Sequence, residues 1–344
     1  MEIKKNRIEY IDAMRGLAII LVLQSHVSGF CLNIDDYTPN YHFVSGVPLF
    51  FFISGFLSKQ TKNMTFRSVC LYIYDKAIIL LVAATIFMAF RAYITDVSFM
   101  DAFRDGKYGY WFTFSLFQFI LISICCQLLL TRILPSKHLW VTDTLFLIIA
   151  LSMYSLSIPA IIDRVAINEE IYNLMDIGHW KHFLYFVMGT IVKNHFRLIE
   201  RLFASTFFTL VIISAFILMT VYNNILIGNI NTLYRFTFPI LWITICFCFF
   251  RHYQEVFIKN TIIGKCFQVI GKRTLDIYYL HYLFLPIHLS KFVTVFHDSP
   301  IPIIEYFTTT IIVGAIIIIC LVVSSFIRLS PTLAYYMFGA SKKQ

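Results

Sequence analysis

The chain has 344 residues, of which 59% are hydrophobic and only 14% charged, and its mean hydropathy is +0.75. These values exclude a soluble globule with a single anchor and indicate a polytopic membrane protein. A net charge of +9 also occurs in nucleic-acid-binding proteins, so the distribution of the basic residues has to separate the two classes.

Apolar segments follow one another along the whole chain without a repeat of 20–50 residues or a low-complexity linker. The sequence therefore predicts an all-α fold of about ten transmembrane helices in one integral-membrane domain, residues 1–344. No small-residue cleavage site follows the first apolar run, so we expect a retained helix and not a signal peptide. The predicted spans are 16–34, 44–58, 69–90, 110–131, 141–162, 182–194, 203–222, 234–250, 275–293 and 304–327.

The basic residues are distributed unevenly between the two sides of these spans. With the N-terminus inside, twenty of the 28 Lys and Arg residues fall on the cytoplasmic side, seven on or near the other side, and Arg15 at the boundary. This is the positive-inside pattern, and it predicts that both termini are cytoplasmic. Because topology explains the basic charge, nucleic acid is excluded as a partner.

The first predicted span carries Arg15 and His26 on one face, since eleven positions are three helical turns plus about 20° and roughly 16 Å along the axis. Residues 16–34 contain no charged side chain, which places Arg15 at the membrane boundary and His26 near mid-depth. Asp12 is close enough to pair with the guanidinium. Two alternatives stay open: an arginine that only anchors on lipid phosphate, and a histidine that is only structural.

Three further features have less specific interpretations. Pro48 between Gly46 and Gly55 predicts an irregular or broken second helix, or a kinked helix with small residues at a close crossing.

The eight cysteines lack paired CxxC spacing, so we expect small buried hydrophobic side chains and no metal or disulfide framework. The segment His179-Trp180-Lys181-His182 has a spacing that suits a metal, but solvated interface residues are the favoured interpretation.

Two segments near the N-terminus are Asp12-x-x-Arg15-Gly16-x-Ala18 with His26, and Pro48-Leu49-Phe50-Phe51-Phe52-Ile53-Ser54-Gly55-Phe56-Leu57. Together they resemble the opening of one family of membrane enzymes, acyltransferase family 3. Its Trp-Phe-Leu segment resembles Tyr110-Trp111-Phe112. Its late Gly-Lys-x-Ser-x-x-x-Tyr-x-x-His element resembles Gly271-Lys272-Arg273-Thr274-Leu275-Asp276-Ile277-Tyr278-Tyr279-Leu280-His281.

This resemblance implies a multi-pass O-acyltransferase of the bacterial cytoplasmic (inner) membrane, distinct from the MBOAT family. The implied donor is acyl-CoA, usually acetyl-CoA, and the implied acceptor is a hydroxyl of a cell-surface glycan or its lipid-linked precursor. The implied catalytic residue is His26, as base or acyl relay, and Asp12, which can pair with Arg15, is a second catalytic candidate. Membrane lipids are the other expected partner, no metal is implied, and the oligomeric state is left open.

The acceptor or pocket candidates are Ser54, Trp111, Tyr110, Tyr278 and His281; for Trp111 and Tyr110 an interfacial aromatic belt is the alternative.

Donor binding is expected at a basic cytoplasmic mouth, because coenzyme A carries several phosphate charges. The family commonly has Arg-x-x-Arg before the third span, where this chain has Asp75-Lys76-Ala77-Ile78. Lysine also binds phosphate, as a point charge. The first, third and ninth helices must pack together for the donor candidates to converge; these are Arg15, Lys76, Arg67, Lys272 and Arg273.

Two other functions compete with acyl transfer. A secondary transporter or lipid-linked glycan flippase also has many spans and Pro- or Gly-interrupted helices, but the chain shows no inverted internal repeat. A catalytically inactive relative, retained as an assembly partner, is the third hypothesis, because the double-arginine motif is missing.

Overall fold

The computed structural model describes residues 8–32, 46–59, 64–133, 139–158, 168–225, 231–258, 261–287, 289 and 302–340. Within these ranges the regular structure is helical and no strand is present, which confirms the all-α class. The α-helices are α1 Glu9–His26, α2 Gly46–Phe56, α3 Phe66–Ala77, α4 Ala83–Ile94, α5 Phe99–Arg104, α6 Trp111–Ile133, α7 Leu139–Leu156, α8 Glu169–Leu174, α9 Phe183–Asn194, α10 Phe196–Phe203, α11 Thr206–Ile225, α12 Asn231–His252, α13 Ile262–Lys272, α14 Thr274–Leu280, α15 Pro302–Ile327 and α16 Pro331–Phe338.

Several helices are long and apolar enough to cross a membrane. In the described part of the chain there are four such stretches, or five if α10 and the apolar part of α11, bent by 76°, form one broken span. Two further apolar helices, Gly46–Phe56 and Trp140–Leu156, are shorter. The four stretches overlap the predicted spans 16–34, 69–90, 110–131 and 304–327, and they are Glu9–Cys31, Phe66–Ile94, Trp111–Leu130 and Tyr306–Ile327.

The first helix begins earlier than its apolar run suggests. Glu9 and Asp12 lie in the first turn of α1, where negative charge is favourable beside the free backbone N–H groups. The membrane-length stretch therefore starts at Glu9, and His26 lies close to its described end at Cys31. The depth of His26 in a membrane stays a prediction.

The predicted span 275–293 is not one helix in its described part. α14 ends at Leu280, a 3₁₀ turn follows over His281–Leu283, and the chain is irregular at Leu285 and Pro286. Proline lacks the N–H that an α-helix needs at this point, and it disfavours helical backbone in the residue before it. Pro286 therefore keeps an α-helix from continuing through this segment, and His281 lies in the turn directly after α14.

The second helix, in contrast, is unbroken. Pro48 falls in the first turn of α2, where its missing N–H costs nothing. A Cβ atom at Gly46 would overlap the Ala18 carbonyl, and one at Gly55 would overlap the Phe186 carbonyl. The alternative with small residues at close crossings is therefore correct, and the broken helix is not.

The chain divides into two compact units, and the first comprises Met1–Ile53 and His195–Leu321. Its centre is α1, which packs against α12, α13 and α14. Gln268 of α13 donates a hydrogen bond to the Glu9 carbonyl (2.6 Å) and another to the Phe257 carbonyl (3.2 Å). This buried amide fixes the start of α1 against α13.

The second unit comprises Ser54–Asn194 and Val322–Gln344. Its core is an aromatic cluster in which the Phe183 ring lies 5.2 Å from that of Phe119 and 5.6 Å from that of Phe146, measured between centroids. These rings join α6, α7 and α9. Edge-on aromatic contacts of this kind add to the stabilisation from burial.

The cysteines only partly match the prediction of buried hydrophobic side chains. Cys31, Cys246, Cys248 and Cys320 are buried, whereas Cys70, Cys125 and Cys266 are exposed and Cys126 is intermediate. A membrane protein can expose apolar side chains to lipid, so apolar surroundings in the sequence do not imply burial in the protein. All eight are free thiols.

Candidate active site

The end of α1 presents His26 where the helix changes its winding. A π turn, Val27–Cys31, follows His26 directly. Such turns are rare and frequent at functional sites, because the wider winding redirects the neighbouring side chains. His26 is half-buried, whereas Val27 is completely buried. The described part of the chain therefore does not fully enclose His26.

His281 lies beside His26, although 255 positions separate them in the chain. Nδ1 of His26 is 2.9 Å from Nε2 of His281, and the ring planes differ by only 12°. The hydroxyl of Tyr282 is 3.4 Å from Nε2 of His26. Both ring nitrogens of His26 thus have polar neighbours from the segment after α14.

The backbone at the end of α14 holds His281 in place. This side chain is completely buried, and its Nδ1 lies 2.7 Å from the Tyr278 carbonyl oxygen and 3.3 Å from that of Ile277. The buried Tyr278 ring lies 5.9 Å from the His281 ring, centroid to centroid. The candidates His26, His281 and Tyr278 are therefore brought together, whereas Tyr282 was missed. Its only signal in the sequence is its position next to His281.

Asp12 and Arg15 form the predicted pair at the start of α1. A guanidinium nitrogen of Arg15 lies 3.8 Å from a carboxylate oxygen of Asp12. Asp12 is buried and the Arg15 side chain is 29% exposed, so the carboxylate orients a partly accessible cation. Fourteen residues of helix place Asp12 about 21 Å from His26 along the axis. Asp12 can position Arg15, but it cannot contact the imidazole.

The Arg-Gly and Gly-Lys-Arg segments meet where α1 crosses α13. A Cβ atom at Gly271 would overlap the Asp12 carbonyl oxygen, and one at Gly16 would lie 3.0 Å from the Phe267 carbonyl oxygen. Glycine at both positions lets the two backbones approach closely. Lys272 and Arg273 directly follow Gly271 and are half-buried, so they lie at the same end of α1 as Arg15. Packing of the first helix with the late segment is thus present.

The remaining donor candidates and Ser54 belong to the second unit. Arg67 is exposed at the start of α3, and Lys76 is half-buried, with Nζ 5.6 Å from the centroid of the Tyr72 ring. A second π turn, Ile78–Val82, follows α3 directly and begins two positions after Lys76. Ser54, in α2, is half-buried.

Trp111 opens α6 and stacks on His179. Their ring centroids are 3.7 Å apart with planes 8° from parallel, and the His182 ring lies 5.7 Å from that of Trp111. Burial, followed by the positive charges of Lys181 and Lys107, lowers the pKa of His179 to about 3. His179, Trp180 and His182 are half-buried and Lys181 is exposed, so the segment expected to be solvated is only partly accessible. Tyr110 is completely buried.

A buried ion pair holds this aromatic group together. Nζ of Lys107 lies 2.9 Å from a carboxylate oxygen of Asp176 and also donates to the carbonyl oxygens of Asn173 and Leu174. Burial raises the pKa of Asp176, and Lys107 opposes that shift. Lys107 and Asp176 both have left-handed backbone, with φ of 51°. Such conformations cost about 1 kcal/mol or more each and persist only where surrounding contacts fix them.

Comparison with known proteins assigns the chain to a family. No curated protein and no solved structure is significantly similar to it. A family model described as an acyltransferase domain, that of acyltransferase family 3, matches residues 8–329. The match includes α1 with His26 and the segment of α14 with His281, and it extends over both units. The chain therefore belongs to acyltransferase family 3 and is an acyltransferase with several membrane-length helices.

Proposed function

We propose that this acyltransferase moves an acyl group, in the first instance acetyl, from acyl-CoA to a hydroxyl of a cell-surface glycan or its lipid-linked precursor. The observation that carries the proposal is the contact of His26 with His281 in a chain of this family. A half-buried imidazole that is fixed by a buried one is suited to proton transfer. His26 is such an imidazole, and it lies on α1, the helix that carries the first family motif.

His26 acts as the general base in this proposal. Its ring takes the proton of the acceptor hydroxyl while the oxygen attacks the thioester carbonyl. The tetrahedral intermediate then expels the thiolate of coenzyme A, and the thiolate takes that proton from the imidazolium. An ester and a free thiol are formed, and no oxidant or metal is consumed. Histidine suits both steps because its ordinary pKa of about 6.5 lies near the working pH.

The donor lies along α1 in this proposal. Arg15, oriented by Asp12, binds a phosphate of coenzyme A, and Lys272 and Arg273 add positive charge at the same helix end. Arg15 and His26 face the same side about 16 Å apart along the axis. The extended arm of coenzyme A can then run along the helix and present its thioester to His26. Arg67 and Lys76 are proposed as further phosphate contacts.

The acceptor is a carbohydrate, and we assign Trp111, Ser54 and Tyr278 to its recognition. Aromatic faces bind the apolar faces of sugar rings, and Trp111 keeps part of its surface accessible. His179 stacks on Trp111 and fixes the orientation of the indole. Tyr278 lies next to His281 and so lines the end of the site where the proton moves.

We further propose ten membrane spans with both termini in the cytoplasm of a bacterial inner membrane. The charge asymmetry of the sequence supports this topology. It places Arg15 near the cytoplasmic surface, where coenzyme A is available, and His26 towards the opposite side.

The proposal is tested with membranes that contain the protein, labelled acetyl-CoA and an extract of lipid-linked glycans. The wild type should transfer label to the glycan fraction, and His26→Ala should lower the rate by about 10²–10⁴-fold, the usual contribution of a general base. Arg15→Ala should mainly raise the KM for acetyl-CoA. The control is His252→Ala, which removes an exposed histidine at the end of α12 and should leave the rate unchanged.

Three results would contradict the proposal. Undiminished transfer by His26→Ala removes the base. Movement of glycan across vesicles without transfer of label indicates a flippase. Absence of both activities from a folded wild type, when a partner protein restores acylation, indicates an inactive assembly partner.

A further inference from the structure

The hydrogen bonds around His26 and His281 determine which ring nitrogens carry hydrogen. Nδ1 of His281 lies within 3.3 Å of two carbonyl oxygens, and a carbonyl oxygen can only accept. That nitrogen must therefore carry the hydrogen. In the neutral ring Nε2 of His281 is then an acceptor, because one nitrogen donates and the other accepts.

The hydrogen position on His281 also determines the hydrogen positions on His26. Nδ1 of His26, 2.9 Å from the acceptor Nε2 of His281, must donate, and the nearly parallel ring planes allow an in-plane N–H···N bond. In the neutral form Nε2 of His26 then carries the lone pair. The Tyr282 hydroxyl, 3.4 Å away, is placed to donate to that nitrogen.

We propose that His281 is a positioning residue that fixes the tautomer of His26, so that Nε2 of His26 is the nitrogen that takes the proton. The Tyr282 hydroxyl marks the place where the acceptor hydroxyl binds. This inference rests on the proposed function, in which His26 is the base.

The burial of the two rings supports this division of roles. His281 is completely buried and bonded to backbone, so it cannot rotate to offer its other nitrogen without losing that bond. His26 is half-buried and can meet a reactant. An imidazole held by one nitrogen and reactive at the other is the arrangement by which proteins set histidine tautomers.

The chemical step remains balanced with this assignment. The acceptor O–H proton moves to Nε2 of His26 as the oxygen attacks the thioester carbon, and the carbon–sulfur bond breaks as the intermediate collapses. The same proton then passes from Nε2 to the departing thiolate sulfur. Throughout, the Nδ1 hydrogen of His26 stays on the bond to His281, which keeps the ring aligned while it is positively charged.

The test compares two substitutions of His281 that differ in one property. In His281→Gln the amide oxygen can accept the His26 hydrogen, whereas His281→Met has a similar length and no comparable acceptor. We expect His281→Met to lower kcat by about 10–100-fold or more, as for other residues that orient a reactive group, with the KM for acetyl-CoA unchanged. His281→Gln should recover most of kcat, and His252→Gln serves as the control.

Equal loss of kcat in both variants, or full activity of His281→Met, would overturn the inference. The wild type gives a second measurement that needs no variant and no activity. In protein labelled with ¹⁵N-histidine, the His26 signals, identified by their loss in His26→Ala, should show hydrogen on Nδ1 and none on Nε2. Hydrogen on Nε2 contradicts the assignment. If the shifts agree and no acetyl transfer occurs, the proposed function fails and the tautomer assignment stands.

Discussion

At the level of single residues, the two histidine groups differ in what burial does to them. His26 contacts another imidazole and is half-buried, which suits the proton transfer proposed for it. His179 stacks on Trp111, and burial, followed by the charges of two lysines, lowers its pKa and favours the neutral ring. The first arrangement fits the proposed chemistry, and the second fits packing. Histidine content alone does not separate them.

The pKa of His179 leads to a pH-dependent stability. Below pH 6.5 an unfolded histidine takes up a proton, whereas folded His179 does so only near its lowered pKa of about 3. The unfolded state therefore binds more protons in this window, and stability falls as the pH falls. We predict that His179→Gln loses less Tm than the wild type between pH 7 and pH 4.5, whereas the control His252→Gln behaves like the wild type. An identical pH dependence of all three proteins would contradict this.

At the level of the elements, close backbone approach fixes the site. The Gly271 backbone lies against the Asp12 carbonyl, and this crossing brings the late basic segment to the start of α1. After Arg273 the chain enters α14, which packs against α1 and ends beside His26. One continuous stretch, from Phe267 to Tyr282, thus contacts α1 both near Asp12 and at His26.

The crossing predicts a sharp difference between two glycine substitutions. Gly271→Ala forces a methyl group into the Asp12 carbonyl, so α1 and α13 must separate, which should cost about 1–3 kcal/mol of stability. Gly314→Ala in α15 is the matched control, because its methyl group meets no atom within 4 Å and alanine favours a helix. Thermal unfolding in detergent measures both. Equal Tm values for the two variants would show that the close approach is unimportant.

The sequence predicted the relations between residues that lie on the same helix. The Asp12–Arg15 pair and the shared face of Arg15 and His26 follow from helical spacing alone. The contact of His26 with His281 could not be predicted, because it depends on where α14 ends and how the 3₁₀ turn rotates one ring. The stacking of His179 could not be predicted, because its partner Trp111 is distant in sequence.

At the level of the whole molecule, the described part of the chain contains several apolar helices long enough to cross a membrane. The distribution of basic residues in the sequence predicts that most of them lie on the cytoplasmic side. The family match runs through both compact units, so neither unit by itself contains the motifs of the family. In the proposed reaction, the donor and the acceptor approach the site from different chemical environments. An all-helical membrane protein satisfies its backbone hydrogen bonds internally and can hold such a site within the bilayer.

The topology gives a prediction at this scale. A green fluorescent protein fused after Gln344 should fluoresce and alkaline phosphatase at the same position should be inactive, because both termini are proposed to be cytoplasmic. Fusions after Asn168, in a loop predicted to lie outside, should give the reverse. Active phosphatase after Gln344 would contradict a cytoplasmic C-terminus.

The central claim is that His26 removes the proton of the acceptor during acyl transfer. Its most direct test is the single-turnover rate at which enzyme loaded with labelled acetyl-CoA passes the label to added glycan acceptor, compared between the wild type and His26→Gln. We predict that the variant retains donor binding and loses acceptor-dependent transfer by at least about 10²-fold. Equal rates in the two proteins, with equal donor binding, would contradict the account.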